Sequence, residues 1–324
     1  MSDNATIDGL AASQRIRGVL APVVTPFKDD LSPDTERFIA HCKRLLSQNC
    51  GLAVFGTNSE ANSLAVEERA MLLDELVAAG IDPSRMMPGT GCCSIMETVK
   101  LTAQAVDHGC AGVLMLPPFY YKDVSDEGLY RYFSEVVQRV GDARLKIYLY
   151  HIPPVAVVSI TTGLVERLLA AYPNAIAGMK DSSGDWNNTR MFLDAFVTAN
   201  PARTGFDVFV GSESFLLANM RDGGVGTISA TANVNPAAVH KLYREWDTAD
   251  DAAQQQSKLN VVREVFSSRK FPSMIAALKQ SIAIYTDDPE WTRVRPPLVE
   301  LTPEQARTLS EELRGISFAM RTKN

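Results

Sequence analysis

Lys180 is the side chain with the most chemistry to offer in this sequence. It closes a run of apolar and small residues at 175–179 (AIAGM), so a strand ending there would carry its amine into an enclosed space. A primary amine in a dry pocket beside a phenol is equipped for Schiff-base chemistry: the amine adds to a carbonyl carbon and the phenol moves protons. Tyr150, which ends the aromatic run 148–150 (YLY), supplies such a phenol. Tyr148 is read as turning to the other face, as a core tyrosine. The bland alternatives are a Lys180 paired with Asp181 in a loop and a Tyr150 that merely satisfies its hydroxyl in the core. His151 could serve as a base or cap a loop. The segment 56–60 (GTNSE) offers backbone N–H groups that can cradle a carboxylate, or is a plain tight turn. His41, His108 and His240 fall on or at the ends of helices and read as structural or surface residues.

These side chains need elements to hold them, and the chain alternates short apolar runs with amphipathic stretches. The strands expected are 18–25, 52–55, 86–89, 112–116, 146–150, 175–179, 208–210 and 225–228. Helices are expected at about 34–48, 66–79, 94–108, 125–140, 162–171, 186–199 and 214–221. Eight strand–helix units close a parallel (β/α)8 TIM barrel. A doubly wound open sheet shares the alternation, although no GxGxxG follows the first strand. From 235 onward only helices are expected, at 236–248, 252–268, 272–285 and 303–314. The organisation read is an N-terminal extension (1–16), an α/β barrel (17–234) and a C-terminal helical region (235–324). In a barrel the catalytic groups sit at the C-terminal ends of the strands. Those ends are 56–60, 117–121, 150–153, 178–181, 211–214 (GSES) and 227–229 (TIS).

Bulk composition narrows the classes. The 324 residues are 46% hydrophobic and 22% charged, with a net charge of −6, ordinary for a globular protein. No basic stripe suggests nucleic acid, and no apolar run approaches the ~20 residues that span a bilayer. The polar N-terminus lacks the layout of a secretory signal. Five cysteines, Cys42, Cys50, Cys92, Cys93 and Cys110, are an odd number and read as buried thiols in a reducing compartment, so a cytoplasmic protein is expected. No metal or organic cofactor is called for.

Five motifs in barrel order carry a resemblance: GTNSE (56–60), YY (120–121), YHIP (150–153), GMKD (178–181) and GTISATAN (226–233). The chain resembles the dihydrodipicolinate synthase / N-acetylneuraminate lyase superfamily from about Arg17 into the C-terminal helices. The resemblance implies Lys180 as the Schiff-base lysine, Tyr150 as proton donor and acceptor, and Thr57 as a relay hydroxyl. It implies Tyr121 as a relay tyrosine reaching a neighbouring subunit's site, and hence a homo-oligomer, a tetramer built as a dimer of dimers. Gly56, Asn58, Ser59 and Ile228 match positions that hold the substrate carboxylate and line the pocket. The chain departs from the family pattern in several places. Asn58 stands for a threonine and Ser59 for a glycine in the turn. His151 stands for an asparagine, and Val66 and Arg69 for the histidines of a lysine-feedback site. Val155 stands where the lysine-pathway synthases place an arginine for a second carboxylate, and a valine cannot make that charge-assisted pair.

The function expected is therefore a Schiff-base-forming lyase, an aldolase or hydro-lyase, acting on a small pyruvate-derived 2-oxo acid. Ser212, Glu213 and Ser214, with Ser182, Ser183 and His151, suggest a polar or hydroxylated distal part of that substrate. The alternatives are the synthase proper, condensing pyruvate with aspartate semialdehyde, and a catalytically silent binder of 2-oxo acids.

Overall fold

The computed structural model describes residues 15–198 and 205–321. Most of the expected N-terminal extension (1–14) and the last residue of the expected helix 186–199 lie outside them. Seven parallel strands follow in order: β1 (Gly18–Ala21), β2 (Gly51–Leu52), β3 (Val113–Met115), β4 (Ile147–His151), β5 (Ile176–Asp181), β6 (Asp207–Val210) and β7 (Gly226–Ile228). Hydrogen-bonded neighbours run β2-β1-β7-β6-β5-β4-β3. The segment 86–89 bridges the two open edges. Met87 and Gly89 donate to the carbonyls of Leu52 and Val54, and Leu114 and Thr90 complete the link to β3. That segment is the expected third strand, held by single bridges, and it closes an eight-fold barrel.

The helices that cover the strands are α1 (Thr35–Ser47), α2 (Val66–Ala78), α3 (Ile95–Asp107), α4 (Asp126–Val140), α5 (Pro153–Ala156), α6 (Thr162–Ala171), α7 (Trp186–Leu193) and α8 (Leu216–Arg221). Their starts follow the local chemistry: Asp34, Ser94, Ser125, Thr161 and Asp185 each cap an N-terminus with a side-chain oxygen. The short α5, opened by Pro153, has no counterpart among the helices expected from sequence, and α7 passes into a π-turn at Asp194–Thr198. The helices α9 (Pro236–Glu245), α10 (Ala252–Phe266), α11 (Met274–Thr286) and α12 (Pro303–Gly315) form the expected C-terminal region. It packs on the barrel through Phe266, Leu278, Ile282, Trp291 and Leu309, against Val24, Ala230 and Val234. Among the described residues no helix is long and apolar enough to cross a membrane.

Alternation along the strands sorts side chains into two cores. Leu20, Leu114, Tyr148, Tyr150 and Phe209 fill the barrel interior. Val19, Ala21, Val113, Ile147, Leu149 and Val208 pack outward against the helices. Tyr148 thus shares the inner face with Tyr150, and the sequence reading of Tyr148 is corrected: residues two apart on a strand point the same way. Its hydroxyl meets Asp207 Oδ2 at 3.4 Å, at the floor of the barrel. The cysteines are free, but Cys110 is only half-buried and Cys93 is exposed, since it lies in the bend ahead of α3.

Candidate active site

Strand β5 breaks the alternation, and the break aims Lys180. Ala177 faces the barrel interior and Met179 the helices, so one residue between them is out of step. The register shows the slip: Ile147 pairs with Ile176 but Tyr148 pairs with Gly178. Such a bulge reverses the facing of the residues beyond it. Only glycine fits at its centre, because a Cβ on Gly178 would meet the Asp207 carbonyl oxygen at 2.1 Å. Past this point Lys180 pairs directly with Tyr150, and the two share the inner face.

There the Lys180 amine lies 4.3 Å from the centroid of the Tyr150 ring, and Lys180 is 2% exposed. The Tyr150 hydroxyl is 3.2 Å from Thr57 Oγ1. Thr57 opens a tight turn, Thr57–Ser59, that follows β2. The N–H groups of Ser59 and Ala61 donate back to Gly56, and that of Glu60 to Thr57, which leaves Thr57 and Asn58 at the open N-terminal end of the turn. A cavity next to this group is lined by Phe55, Thr57, Asn62, Leu114, Leu116 and Tyr150, with Gly56, Gly89 and Gly91 in its wall. Gly89 is another close approach: a Cβ there would lie 2.1 Å from the Phe55 carbonyl oxygen. Ile228, at the end of β7, is fully buried in the barrel interior.

Other residues singled out from sequence lie apart from this group. Tyr121 stands on the loop after β3 with its ring edge-on to Tyr120 at 5.3 Å, and it is 74% exposed. Val155 is exposed on α5, and Lys122 fastens that helix to the tyrosine loop by donating to the carbonyls of Ala156, at 2.9 Å, and Phe119. Ser59 is buried, its carbonyl accepting from Thr25 Oγ1 at 2.7 Å. Ser212 is half-buried, and its hydroxyl accepts from the Ser214 N–H at 3.2 Å. Glu213 is buried, and its carboxylate is shared by Ser229 and Thr231, which follow β7, and by Arg263 of α10, the last at 2.9 Å. Ser183 is bound to Asp181, which also accepts from Thr189. His151 accepts the Ile160 N–H on Nδ1 at 3.0 Å and packs edge-on against Phe192. Burial holds its imidazole below the ordinary range, against the pull of Asp181, so it stays neutral and ties down the loop after α5.

Sequence reading missed a buried ion pair beneath the turn. Lys279 of α11 meets Glu60 Oε1 at 2.5 Å, and neither side chain is exposed at all. Burial pushes the Glu60 carboxyl up and the Lys279 amine down to about 8, while each partner's charge opposes the shift of the other. The two residues are 219 positions apart, a distance at which no local pattern signals a contact. Among the described residues no cluster of histidines, cysteines or carboxylates could hold a metal ion.

Beyond this geometry, the chain matches a known family along nearly its whole length. The dihydrodipicolinate synthetase family model matches residues 15–316. The chain belongs to that family. Family relatives include a DapA-like lyase of Chloroflexus aurantiacus, 31% identical over 90% of this chain and 94% of its own. A 4-hydroxy-tetrahydrodipicolinate synthase of Thermus thermophilus is 33% identical over 93% of this chain and 95% of its own. The crystal structure of dihydrodipicolinate synthase from Agrobacterium tumefaciens superposes with a TM-score of 0.81 at 34% identity, covering 93% of this chain and 99% of that one. A prophage protein of the family from E. coli K12, solved with pyruvate, gives a TM-score of 0.83 at 26% identity over 94% and 99%. Family membership makes this protein an enzyme, a lyase of the class I aldolase type.

Proposed function

We propose that Lys180 is the covalent nucleophile toward a pyruvate-type 2-oxo acid and that Tyr150 moves the protons, relayed through Thr57. The neutral amine adds to the C2 carbonyl. Tyr150 protonates the resulting carbinolamine oxygen, water departs, and an iminium joins Lys180 to C2. Where the substrate is a 4-hydroxy-2-oxo acid, the iminium then takes up the electron pair of the breaking C3–C4 bond, while the C4 hydroxyl gives its proton to the Tyr150 phenolate and C4 leaves as an aldehyde. Protonation of the enamine at C3 and attack of water on C2 release the 2-oxo acid and restore the amine. The substrate carboxylate is assigned to the N–H groups of Thr57 and Asn58, with Gly56, Ser59 and Ile228 shaping the wall behind it. The observation that carries this reading is the inward Lys180 amine over the Tyr150 ring, with Thr57 Oγ1 at 3.2 Å from the phenol.

The far end of the substrate is read as uncharged. Val155 offers no cation, Lys122 is spent on two carbonyls, and Arg263 is paired with Glu213. Those features weigh against a second carboxylate and so against aspartate semialdehyde. The hydroxyl-binding role expected of Glu213, Ser183 and His151 has little support, since their polar atoms are engaged within the fold. The exposed Tyr120–Tyr121 pair supports a homo-oligomer in which Tyr121 enters a neighbour's site. Five free thiols support a reducing, cytoplasmic setting.

The test is the intact mass after borohydride reduction with pyruvate, for the wild type and Lys180→Ala. A pyruvate-sized adduct confined to the wild type is expected. An adduct of equal yield on the variant would remove Lys180 from its role, and none on either protein, with pyruvate or longer 2-oxo acids, would sink the covalent reading.

A further inference from the structure

The turn that presents Thr57 rests on charges that the chemistry above does not use. Glu60 ends that turn in the left-handed region, at φ 56°, and its N–H donates to the Thr57 carbonyl at 3.1 Å. A non-glycine residue there is strained and persists when its surroundings over-determine it. Here they do. Glu60 Oε1 takes the Lys279 amine at 2.5 Å and Oε2 takes the backbone N–H of Arg295 at 3.1 Å. Lys279 also donates to the Arg293 carbonyl at 2.5 Å. Lys279 and the Arg295 guanidinium both face the Phe27 ring, at 4.5 and 4.7 Å from its centroid. The Arg295 side chain further binds the Ser63 carbonyl at 2.7 Å and the Glu68 carboxylate. The turn is thus fastened on its far side by α11 and by the segment 293–295 beyond that helix. On its near side, the Thr57–Tyr150 contact of 3.2 Å is already long for a bond between two hydroxyls, so a small drift of the turn opens it.

We infer that Glu60, Lys279 and Arg295 are positioning residues for the reaction: the buried pair and its arginine hold the 56–60 turn at the height where Thr57 meets the Tyr150 phenol. The C-terminal helical region is then part of the catalytic unit. This inference rests on the role proposed for Thr57, and its test is arranged so that the two can fail separately.

The probe is pyruvate in heavy water, with exchange of its methyl protons followed by NMR, because each exchange needs an iminium, loss of a C3 proton and its return as deuterium. Adduct formation with borohydride is measured alongside. The charge-free variant Glu60→Gln/Lys279→Met keeps the shapes of the pair, and neutral replacement of a buried ion pair is often tolerated by stability. The milder variant Arg295→Gln alters a partly exposed side chain. Both are expected to form the adduct and to lose exchange rate, the double variant by roughly tenfold to a hundredfold. In a Thr57→Val background those losses are expected to vanish, since the groups act through Thr57, whereas a general loss of stability would multiply with it. Full exchange in a folded variant, or losses that multiply with Thr57→Val, would overturn the inference. If the double variant does not fold, Arg295→Gln decides alone by the same comparison. A wild type that forms no adduct would instead sink the lyase reading, whatever the variants do.

Discussion

Lys180 and Tyr150 occupy neighbouring positions on adjacent strands, so their side chains leave the sheet together and the amine rests on the ring. The phenol contributes an apolar face and a polar tip at once, which suits a group that must line a dry pocket and still move protons. Tyr150→Phe keeps the ring under the amine and removes only the proton carrier. We expect a slow adduct with pyruvate and turnover reduced by about 10²–10⁴-fold, read by comparing trapping and methyl exchange. Loss of the adduct altogether would make the hydroxyl indispensable to iminium formation itself, and unchanged turnover would remove Tyr150 from the proton transfer. His151, one residue further on, shows the opposite use of a titratable group. The strand turns it outward, its ring accepts one backbone N–H, and burial keeps it neutral.

At the scale of elements, the bulge in β5 decides where the nucleophile points. Gly178→Ala would drive a methyl group into the Asp207 carbonyl, which sits in the neighbouring strand and cannot swing aside as a side-chain tip would. We expect about 1–3 kcal/mol of lost stability from the overpacking, and a fall in adduct yield larger than the fraction unfolded, because Lys180 turns with the register. Denaturant unfolding and pyruvate trapping on the same sample measure both. A variant destabilised but trapping at the wild-type rate per folded molecule would show that the bulge does not aim the lysine. The helices contribute more simply. Their caps at Ser94, Ser125 and Thr161 are each a local oxygen meeting an orphan N–H.

At the scale of the molecule, the first and last strands of the barrel are locked together by a buried polar group of mixed origin. Asn233, after β7, accepts the Val24 N–H and donates to the Pro22 carbonyl, while His41 of α1 meets Asn233 Oδ1 at 3.2 Å. His41 Nδ1 faces the Arg44 guanidinium at 3.1 Å, so the ring serves as donor on one side and acceptor on the other only while neutral. Burial first, and then the Arg44 charge, hold its imidazole well below the usual value of about 6.5. The folded value being depressed, this contribution to stability is complete above about pH 6.5 and is lost as the pH falls toward the folded value. Melting curves from pH 7.5 to 5 are expected to fall more steeply for the wild type than for His41→Gln; equal slopes would remove His41 from the acid response. The exposed Tyr120–Tyr121 pair belongs to this scale too. If it seats in a second copy, Tyr121→Asp lowers the mass seen in sedimentation and the turnover together. A variant that changes neither would leave Tyr121 a surface residue.

The sequence by itself determined the order of strands and helices, the family, and the types of residue at the strand ends, because caps, apolar runs and short motifs are local properties. Helix α6 is found at the bounds its residues predict, and GMKD and YHIP lie at the ends of β5 and β4, where a barrel needs them. Facing was legible only where alternation was unbroken, and even there Tyr148 was misread. Only the tertiary structure decided the rest. The glycine at the bulge is required by a carbonyl on β6, the neutrality of His41 by its burial, and the support of the Thr57 turn by Lys279, 219 residues beyond Glu60. Each is a contact between segments whose residues carry no mark of one another until the chain has closed, since burial and pairing are properties of the packed whole.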